Sequence, residues 1–282
     1  MRTWIGSWLL GLAILWPGLG GSSAAAESDR VLLATTTSVR DSGLLGALLP
    51  VFEAKTGIGV RVLAVGSGAA LRMGAEGNAD LLLTHAPDGE KALLASGVVL
   101  DRTPFMENDF VIAGPAEDPA SVADAANAVE AFRHIRAAGA AYVSRADDSG
   151  THRRERALFA QAGIGPDERW PGLARTGAGM GLTLQVAGER RAYVLSDLGT
   201  FLAFRKRVGL VSLSRSEPAL RNVYSVLRVN PKRFQGRIHA EAADALARFL
   251  LSDEARERIA KYGVNVFGQP LFRPLTVGRP DD

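Results

Sequence analysis

The sequence repeats one local pattern, in which a short, continuously apolar run is followed by a loop of Gly, Ser or Thr and then by an amphipathic helix. In the first copy, the predicted strand 31–34 leads to a helix whose apolar side chains recur at helical spacing from Leu45 to Phe52, with Ser42 as its expected N-cap. Apolar strands that alternate with helices are typical of sheets covered on both faces. The pattern therefore predicts an α/β protein with a mostly parallel sheet.

The same pattern continues along most of the chain. Further strands are predicted at 59–65, 80–83, 109–114, 140–144, 192–195, 210–213 and 223–229, and helices at 69–76, 121–138, 151–162, 182–188 and 198–206 and again in the C-terminal region. Two α/β units joined by two extended segments predict a bilobal protein with a cleft between the lobes, where loops at strand ends gather. The expected division is a signal peptide at 1–26, the first part of lobe 1 at 27–113, lobe 2 at 114–222, and the return crossover with the C-terminal part of lobe 1 at 223–282.

The N-terminus has the features of an export signal. Arg2 supplies a positive charge, an apolar stretch runs over 8–16, and small residues at 24–26 precede Glu27, so we expect cleavage after Ala26. The alternative, a membrane anchor, is disfavoured because the apolar run is shorter than the ~20 residues that span a bilayer. The sequence contains no Cys, which excludes disulfides, thiolate metal sites and the cysteine of a lipid anchor. We therefore expect a mature protein that is free in the periplasm.

The charge pattern gives little support to a nucleic-acid-binding role. Lys and Arg number 33 against 30 Asp and Glu, the two signs are interspersed, and aromatic residues make up 7% of the chain. Nucleic-acid-binding proteins usually concentrate basic residues on one face or in one arm. We expect no nucleic-acid partner, and we expect a monomer that needs no cofactor.

Four loops are candidates for binding, at 35–38, 65–68, 144–152 and 176–181. Helix N-termini present unpaired N–H groups and partial positive charge, and hydroxyl groups add donors, so such loops can hold an anion. For any single loop, ordinary helix capping by Ser or Thr is the simpler interpretation. The run of three Thr and one Ser at 35–38 exceeds what a cap requires. The loop at 176–181 lacks the spacing of a nucleotide-binding motif and is interpreted as a tight turn.

The third loop adds a positive charge to these donors. A fully ionised oxyanion offers only hydrogen-bond acceptors, so its pocket should be lined by donors. Arg145 would supply a charge-assisted bond and favour a dianion. Asp147 and Asp148 are expected to face away from the ligand and to orient Arg145 or backbone N–H groups, and Asp197 is expected to cap the helix from Leu198.

Five segments of the chain, ATTTSVRDSGLL, AVGSGAAL, NDFVIAGP, VSRADDSGTHRRE and GMGLTL, occur in this order between residues 32 and 267. Together they closely resemble the tungstate-binding protein family of bacterial ABC importers. The resemblance implies a type II periplasmic-binding-protein fold, with two mixed sheets flanked by helices. It also implies that tungstate is held as an oxyanion between the lobes, without direct metal ligation, and that an ABC permease is the partner.

The family motifs also imply a set of ligand contacts. These are Thr36, Thr37, Ser38, Ser67, Arg145, Ser149, Gly150 and Thr151. Three positions depart from the family pattern: Ser67 stands where Thr is usual, Ala146 where Gly is usual, and Leu198 where Arg is common. The first departure keeps the hydroxyl, the second affects the geometry of the turn, and the third removes any ion pair of that Arg.

Catalysis was the main alternative from another functional class. His152 follows Ser149 closely, which suggests a nucleophile and a base, but a hydrolytic site also needs a strained Ser elbow, an orienting acid and an oxyanion hole. The chain has no G-x-S-x-G motif, and His85, His134, His152 and His239 share no metal-ligand spacing. We therefore expect a binding protein and not an enzyme, with His152 as an outer hydrogen-bonding partner of the site.

Other oxyanions remain alternatives on the same fold. Molybdate matches tungstate in charge and size, and only the resemblance favours tungstate. Sulfate is a smaller tetrahedron. Phosphate carries a proton at neutral pH and would need a carboxylate acceptor, which Asp147 or Asp148 could supply. A periplasmic enzyme on the same fold is the remaining alternative, since fold alone does not fix function.

Overall fold

The computed structural model describes residues 30–276. The strands are β1 (Arg30–Thr36), β2 (Gly59–Val65), β3 (Leu81–Thr84), β4 (Thr103–Gly114), β5 (Tyr142–Ser144), β6 (Leu173–Arg175), β7 (Val194–Asp197), β8 (Val211–Ser212), β9 (Arg221–Arg228) and β10 (Arg273–Pro274). The predicted signal peptide at 1–26 lies outside the described residues. No helix within 30–276 has both the length and the apolar character needed to cross a bilayer.

The helices alternate with these strands as the sequence pattern predicts. They are α1 (Thr37–Asp41), α2 (Leu44–Thr56), α3 (Ser67–Ala75), α4 (Pro87–Ala95), α5 (Ala128–Ala137), α6 (Gly150–Gln161), α7 (Met180–Glu189), α8 (Leu198–Val208), α9 (Ala240–Leu250), α10 (Asp253–Lys261) and α11 (Val264–Phe267). Short 3-10 turns occupy Val122–Asp124, Pro218–Leu220 and Pro231–Arg233.

The main sheet is mixed, so the expectation of a mostly parallel sheet is wrong. Its strand order is β10-β4-β9-β3-β1-β2. Strand β1 runs parallel to β2 and to β3, whereas β9 is antiparallel to both β3 and β4. The physical reason is that β9 returns from the far part of the chain and enters the sheet in the opposite direction. Local apolar patterning cannot report that direction.

The long strand β4 belongs to two groups of strands. Its first part, Thr103–Asp109, pairs with β9, and the part from Phe110 to Gly114 pairs with β7 and β8. Strands β5 and β6 form a separate parallel pair, which the bridge between Tyr142 and Tyr193 connects to the segment before β7. The arrangement has the mixed sheets and flanking helices of the expected type II periplasmic-binding-protein fold, with β4 shared between the two groups.

Helices cover both faces of the sheet around β1 and β3. On one face, Leu48 and Phe52 of α2 and Leu246 of α9 pack with Leu33 and Leu81. On the other face, Leu71 of α3 packs in a separate cluster with Leu82 and Leu227. A third cluster, around β5, α5 and α6, contains a group of aromatic side chains in contact, namely Phe132, Tyr142, Phe159 and Trp170. Leu81 and Leu82 belong to different clusters because neighbouring side chains of a strand point to opposite faces.

Two helix boundaries differ from their predictions. Ser42 lies one residue before the N-cap position of the helix through Leu45: it is the C-cap of the short helix α1, and Gly43, which has a φ of 78°, directly precedes α2. Its Oγ still accepts a hydrogen bond from the backbone N–H of Leu44, the first residue of α2, at 3.3 Å. The predicted helix 121–138 is helical only from residue 128, where α5 has its own side-chain cap from Asn127. Short polar side chains that bond to nearby backbone N–H groups compete with helix continuation.

We predict that Leu48→Ala lowers the free energy of unfolding by about 2–5 kcal/mol, because Leu48 is fully buried and truncation leaves a cavity. Leu182→Ala is the matched control: Leu182 also lies on a helix but is 55% exposed, so its truncation should change the free energy by about 0.5 kcal/mol or less. Urea titration of both variants measures the difference. Equal effects from the two substitutions would contradict the described packing of α2.

Candidate anion-binding site

The ends of the parallel strands bring three polar turns to one edge of the sheet. Thr36 ends β1, Ser67 begins the helix directly after β2, and His85 directly follows β3. Because β1 is parallel to both β2 and β3, these ends lie on the same side of the sheet. All three side chains are buried. The strand-to-helix turns that the sequence pattern marks are therefore neighbours in space.

The threonine-rich turn contributes hydroxyl groups to this edge. The Oγ1 of Thr36 accepts a hydrogen bond from the backbone N–H of Val39 and lies 3.0 Å from the Oγ of Ser38. Ser38 is 3% exposed, and its Oγ lies 3.3 Å from the Nε2 of His85. Thr37 is half-buried and starts α1. The turn thus caps a helix and also brings two buried hydroxyls beside His85, so the capping and binding interpretations are compatible.

The start of α6 meets this edge from the other group of strands. The backbone N–H of Gly150 donates to the Oγ of Ser67 at 3.2 Å. A Cβ on Gly150 would lie 2.8 Å from Cε1 of His85 and 3.1 Å from the Oγ of Ser67, so only glycine allows this approach. Ser149 is the N-cap of α6, and Thr151 is 1% exposed.

Arg145 is held at this junction by its own loop. Its guanidinium group is 3% exposed and is bonded to Asp147, whose other oxygen accepts from the backbone N–H of Ser149. Asp148 instead pairs with Arg153 at 2.8 Å. Asp147 therefore orients Arg145, as the sequence analysis predicts.

The turn after Arg145 keeps a conformation that glycine adopts easily. Ala146 has a φ of 50°, and Asp148 has a φ of 55°. This is the left-handed region, in which a Cβ is strained. Ala146, which stands where the family usually has Gly, thus keeps the turn in the left-handed conformation but adds backbone strain.

These residues form one group, which we call the polar cluster. It comprises Thr36, Ser38, Ser67, His85, Arg145, Ser149, Gly150 and Thr151. Within the described chain, the Nε of Arg145 and the Oγ1 of Thr151 are buried and have no hydrogen-bond partner. Buried polar atoms are nearly always paired, because an unpaired one costs about 1–3 kcal/mol. The polar cluster therefore contains two buried donors that are available to a hydrogen-bond acceptor.

Sequence reasoning missed His85 and the residues that hold it. Its Nδ1 lies 2.8 Å from the Oδ1 of Asn222, and the Nδ2 of Asn222 donates to the Oδ1 of Asn108 and to the hydroxyl of Tyr224, both at 2.8 Å. The position of His85 directly after an apolar strand was a usable signal, because Thr36 and Ser67 occupy equivalent positions. No such signal exists for Asn222, which lies on the antiparallel strand β9.

Electrostatics in the polar cluster favour negative charge. Burial lowers the pKa of His85 to about 4, and the nearby Arg145 guanidinium lowers it further against the effect of the Asn222 bond, so His85 is neutral at pH 7. No Asp or Glu occupies the first turn of α1, α3 or α6. The positive end of each helix dipole is therefore not cancelled by an acidic residue of its own first turn.

One buried carboxyl group lies near the polar cluster. Asp197 caps α8 by accepting from the backbone N–H of Thr200 at 2.9 Å, as predicted. Its Oδ2 is buried and has no partner among the described residues. Burial raises the pKa of Asp197, while its bonds to Thr200 and the charge of Arg145 oppose that increase.

The remaining histidines lie outside the polar cluster. The Nδ1 of His152 accepts from the backbone N–H of Asp148 at 3.0 Å, so its side chain does not contact the Oγ of Ser149 as a nucleophile–base pair would require. His134 lies on α5 and His239 bonds to Asp80. In residues 30–276, no group of three or more His, Asp or Glu side chains is arranged to hold a metal ion.

A cavity of about 410 Å³ adjoins the polar cluster at His85, Gly150 and Asn222. Its charged lining consists of Asp88, Arg153, Arg154 and Arg221. Positive side chains outnumber negative ones around this opening, which favours the approach of anions.

Comparison with known proteins shows which family this chain resembles. Residues 23–254 match the model of the PBP superfamily domain. The tungstate-binding protein TupA of Peptoclostridium acidaminophilum is 42% identical over 246 residues, which cover 86% of this chain and 85% of that protein.

Two solved structures are similar as well. The structure of the tungstate ABC transporter from Geobacter sulfurreducens is 41% identical with a TM-score of 0.75, covering 83% of this chain and 99% of that one. TupA from Desulfovibrio alaskensis G20 is 37% identical with a TM-score of 0.76, covering 88% and 99%. The fold and these similarities lead to one conclusion: the chain belongs to the PBP superfamily and, within it, to the tungstate-binding protein family of bacterial ABC importers.

Proposed function

We propose that this chain is the periplasmic solute-binding protein of an ABC importer and that its ligand is the tungstate oxyanion. The observation that carries the proposal is the pair of buried, unpartnered donors at Arg145 and Thr151, in a cluster otherwise made of hydroxyls, backbone amides and a neutral imidazole. A tetrahedral dianion accepts hydrogen bonds on every oxygen and would satisfy both donors. Membership of the family supports the same ligand.

The anion contacts follow from the donors that the cluster offers. Ser67 now accepts from the N–H of Gly150. An anion that enters between them replaces this single bond with two charge-assisted bonds, one from each group. Ser149 uses its oxygen to cap α6, so its hydroxyl hydrogen remains available as a donor, and Thr36 and Ser38 share one hydroxyl–hydroxyl contact that an anion could replace. With Thr37, Ser38, Arg145 and Thr151, these residues complete the proposed site.

The proposed mechanism is capture by two lobes. We divide the chain at 27–113, 114–222 and 223–282, with β4 and β9 as the crossing strands and the polar cluster between the lobes. In support, the Ser67–Gly150 bond joins the turn after β2 to the start of α6. Closure around the anion would create the surface that an ABC permease in the membrane recognises. The protein would act as a monomer, exported by the N-terminal segment 1–26.

Phosphate is the second candidate ligand, because of one specific observation. Asp147 and Asp148 are engaged by Arg145 and Arg153, so neither is free to accept a proton from hydrogen phosphate. The Oδ2 of Asp197 is buried and unpartnered, and it could accept one. Molybdate and sulfate, which are fully ionised at neutral pH, would make the same contacts as tungstate.

An enzymatic role receives less support. Ser38, His85 and Asn222 are aligned in the order of a hydroxyl, an imidazole and an orienting amide. A general base works best when its pKa lies near the working pH. The pKa of His85 is lowered to about 4, which makes it a weak base at pH 7. The similar proteins are binding proteins and not enzymes, so we assign binding and not hydrolysis.

We predict that tungstate binds with a dissociation constant below about 1 μM and that Arg145→Gln weakens binding at least about thirtyfold, or about 2 kcal/mol. The loss follows because the guanidinium is the buried positive charge of the cluster. Titration calorimetry with tungstate, molybdate, sulfate, phosphate and chromate measures both effects. Arg61→Gln is the matched control, since Arg61 is exposed on the edge strand β2. If none of the five anions binds this tightly to the wild-type protein, the proposed function is wrong.

We further predict that Thr151→Val weakens tungstate binding by about 1–3 kcal/mol without lowering the stability of the unliganded protein. The Oγ1 of Thr151 has no internal partner, so its removal breaks no bond inside the protein. Thr56→Val should lower the stability of the protein and leave tungstate affinity unchanged, because the Thr56 hydroxyl donates to the carbonyl oxygen of Phe52 at 2.9 Å at the far end of α2. Calorimetry and urea unfolding of both variants test this contrast. Unchanged affinity in Thr151→Val would remove Thr151 from the site.

A further inference from the structure

His85 is enclosed by the polar cluster on several sides. Its side chain is 6% exposed, its Nε2 faces Ser38 at 3.3 Å, and its ring lies against the backbone of Gly150. The ring of Tyr224 covers it with a centroid distance of 4.7 Å. An anion that contacts Ser38 and the start of α6 would therefore also contact His85.

The hydrogen bonds around His85 fix which ring nitrogen carries the proton. Asn222 donates through Nδ2 to Asn108 and to Tyr224, so its Oδ1 is the atom that faces His85. An amide oxygen accepts, hence the Nδ1 of His85 is the donor. In the neutral ring, the Nε2 then carries a lone pair that points at the Oγ of Ser38.

That lone pair is unsuited to a fully ionised oxyanion. The single hydroxyl hydrogen of Ser38 can be donated to Nε2 or to an oxygen of the anion, but not to both, so an anion that takes it leaves the buried Nε2 without a donor. The tautomer cannot change without losing the bond to Asn222. Protonation of Nε2 resolves the conflict, because the imidazolium ring donates from both nitrogens and carries a positive charge.

We propose that His85 is a contact residue of the anion site, and that binding of a fully ionised oxyanion is coupled to uptake of one proton by its imidazole ring. The proton comes from bulk solvent and no covalent bond of the anion changes. The proposal rests on the proposed function, which supplies the anion, but it adds a residue and a linked proton that the family motifs do not specify.

The charges around His85 determine the sign of the effect. Arg145 faces it from the loop before α6. Tyr224 faces it from β9, and burial raises the pKa of the Tyr224 hydroxyl well above 10. The charged side chains of the adjoining cavity are Asp88, Arg153, Arg154 and Arg221. Arg145 is paired with Asp147, Arg153 with Asp148 and Arg221 with Glu107, so it is chiefly burial that holds the pKa of the unliganded imidazole at about 4, with a smaller contribution from Arg145. A dianion in contact with the ring reverses the local field and raises that pKa. Affinity should then fall, by up to about tenfold per pH unit, between the pKa of the free ring at about 4 and the raised pKa of the complex, and level off above it.

We predict that tungstate binding at pH 7 takes up close to one proton per anion in the wild-type protein. Titration calorimetry in two buffers of different protonation enthalpy measures this number, and tungstate itself is fully ionised at this pH. In His85→Gln the uptake should fall close to zero. His134→Gln is the matched control and should keep the wild-type value, because His134 lies on α5 outside the polar cluster.

The outcomes separate the two proposals. Tight tungstate binding without proton uptake, or uptake that persists in His85→Gln, overturns the role of His85 and leaves the binding function intact. If no oxyanion of the panel binds to the wild-type protein, both proposals fall.

A second measurement needs no variant that could misfold. Side-chain ¹⁵N NMR of the wild-type histidines should show a neutral ring protonated at Nδ1 for His85 in the free protein and an imidazolium ring after tungstate is added. A free protein with the proton on Nε2, or a complex with a neutral ring, would contradict the proposal.

Discussion

The structure depends on the close contact between the start of α6 and the turns that follow β2 and β3. The N–H of Gly150 bonds to Ser67, and the ring of His85 lies where any larger residue at position 150 would place its Cβ. This contact joins segments 83 residues apart in sequence and brings the helix terminus to the hydroxyl groups. Backbone N–H groups and the helix dipole act over short distances, so the approach that glycine permits is what gives the anion-binding proposal its physical basis.

Burial of so many polar groups has a cost that the surrounding bonds offset only in part. Asp147 compensates Arg145, and Asn222 holds His85, yet the Nε of Arg145 and the Oγ1 of Thr151 remain unpaired. Functional sites often retain such unsatisfied groups, because the ligand completes them. Burial keeps His85 neutral at pH 7, and the charge of the nearby Arg145 adds a smaller contribution in the same direction.

Sequence patterning predicted much of the fold and part of the site. The strand 59–65 was predicted with its observed bounds, and the strand-to-helix turns at Thr36, Ser67 and Ser149 lie where the pattern put them. The prediction of a mostly parallel sheet was wrong, because the direction in which β9 enters the sheet depends on contacts made far along the chain. Ser42 lies one residue before the expected cap position, since the residues before it form a short helix of their own, but its hydroxyl still accepts from the N–H of Leu44 at the start of α2.

By itself, the sequence determined the alternation of strands and helices and the supply of hydroxyl, glycine and arginine donors in the loops, because these follow from local periodicity and side-chain chemistry. Only the tertiary structure decided which donors meet, that His85 and Asn222 join them, and that Asp147 accepts a hydrogen bond from the Arg145 guanidinium. The reason is that local pattern specifies an element and its faces, whereas proximity between segments as distant as 38 and 85, or 67 and 150, is set by how the sheet closes and how the helices pack on it.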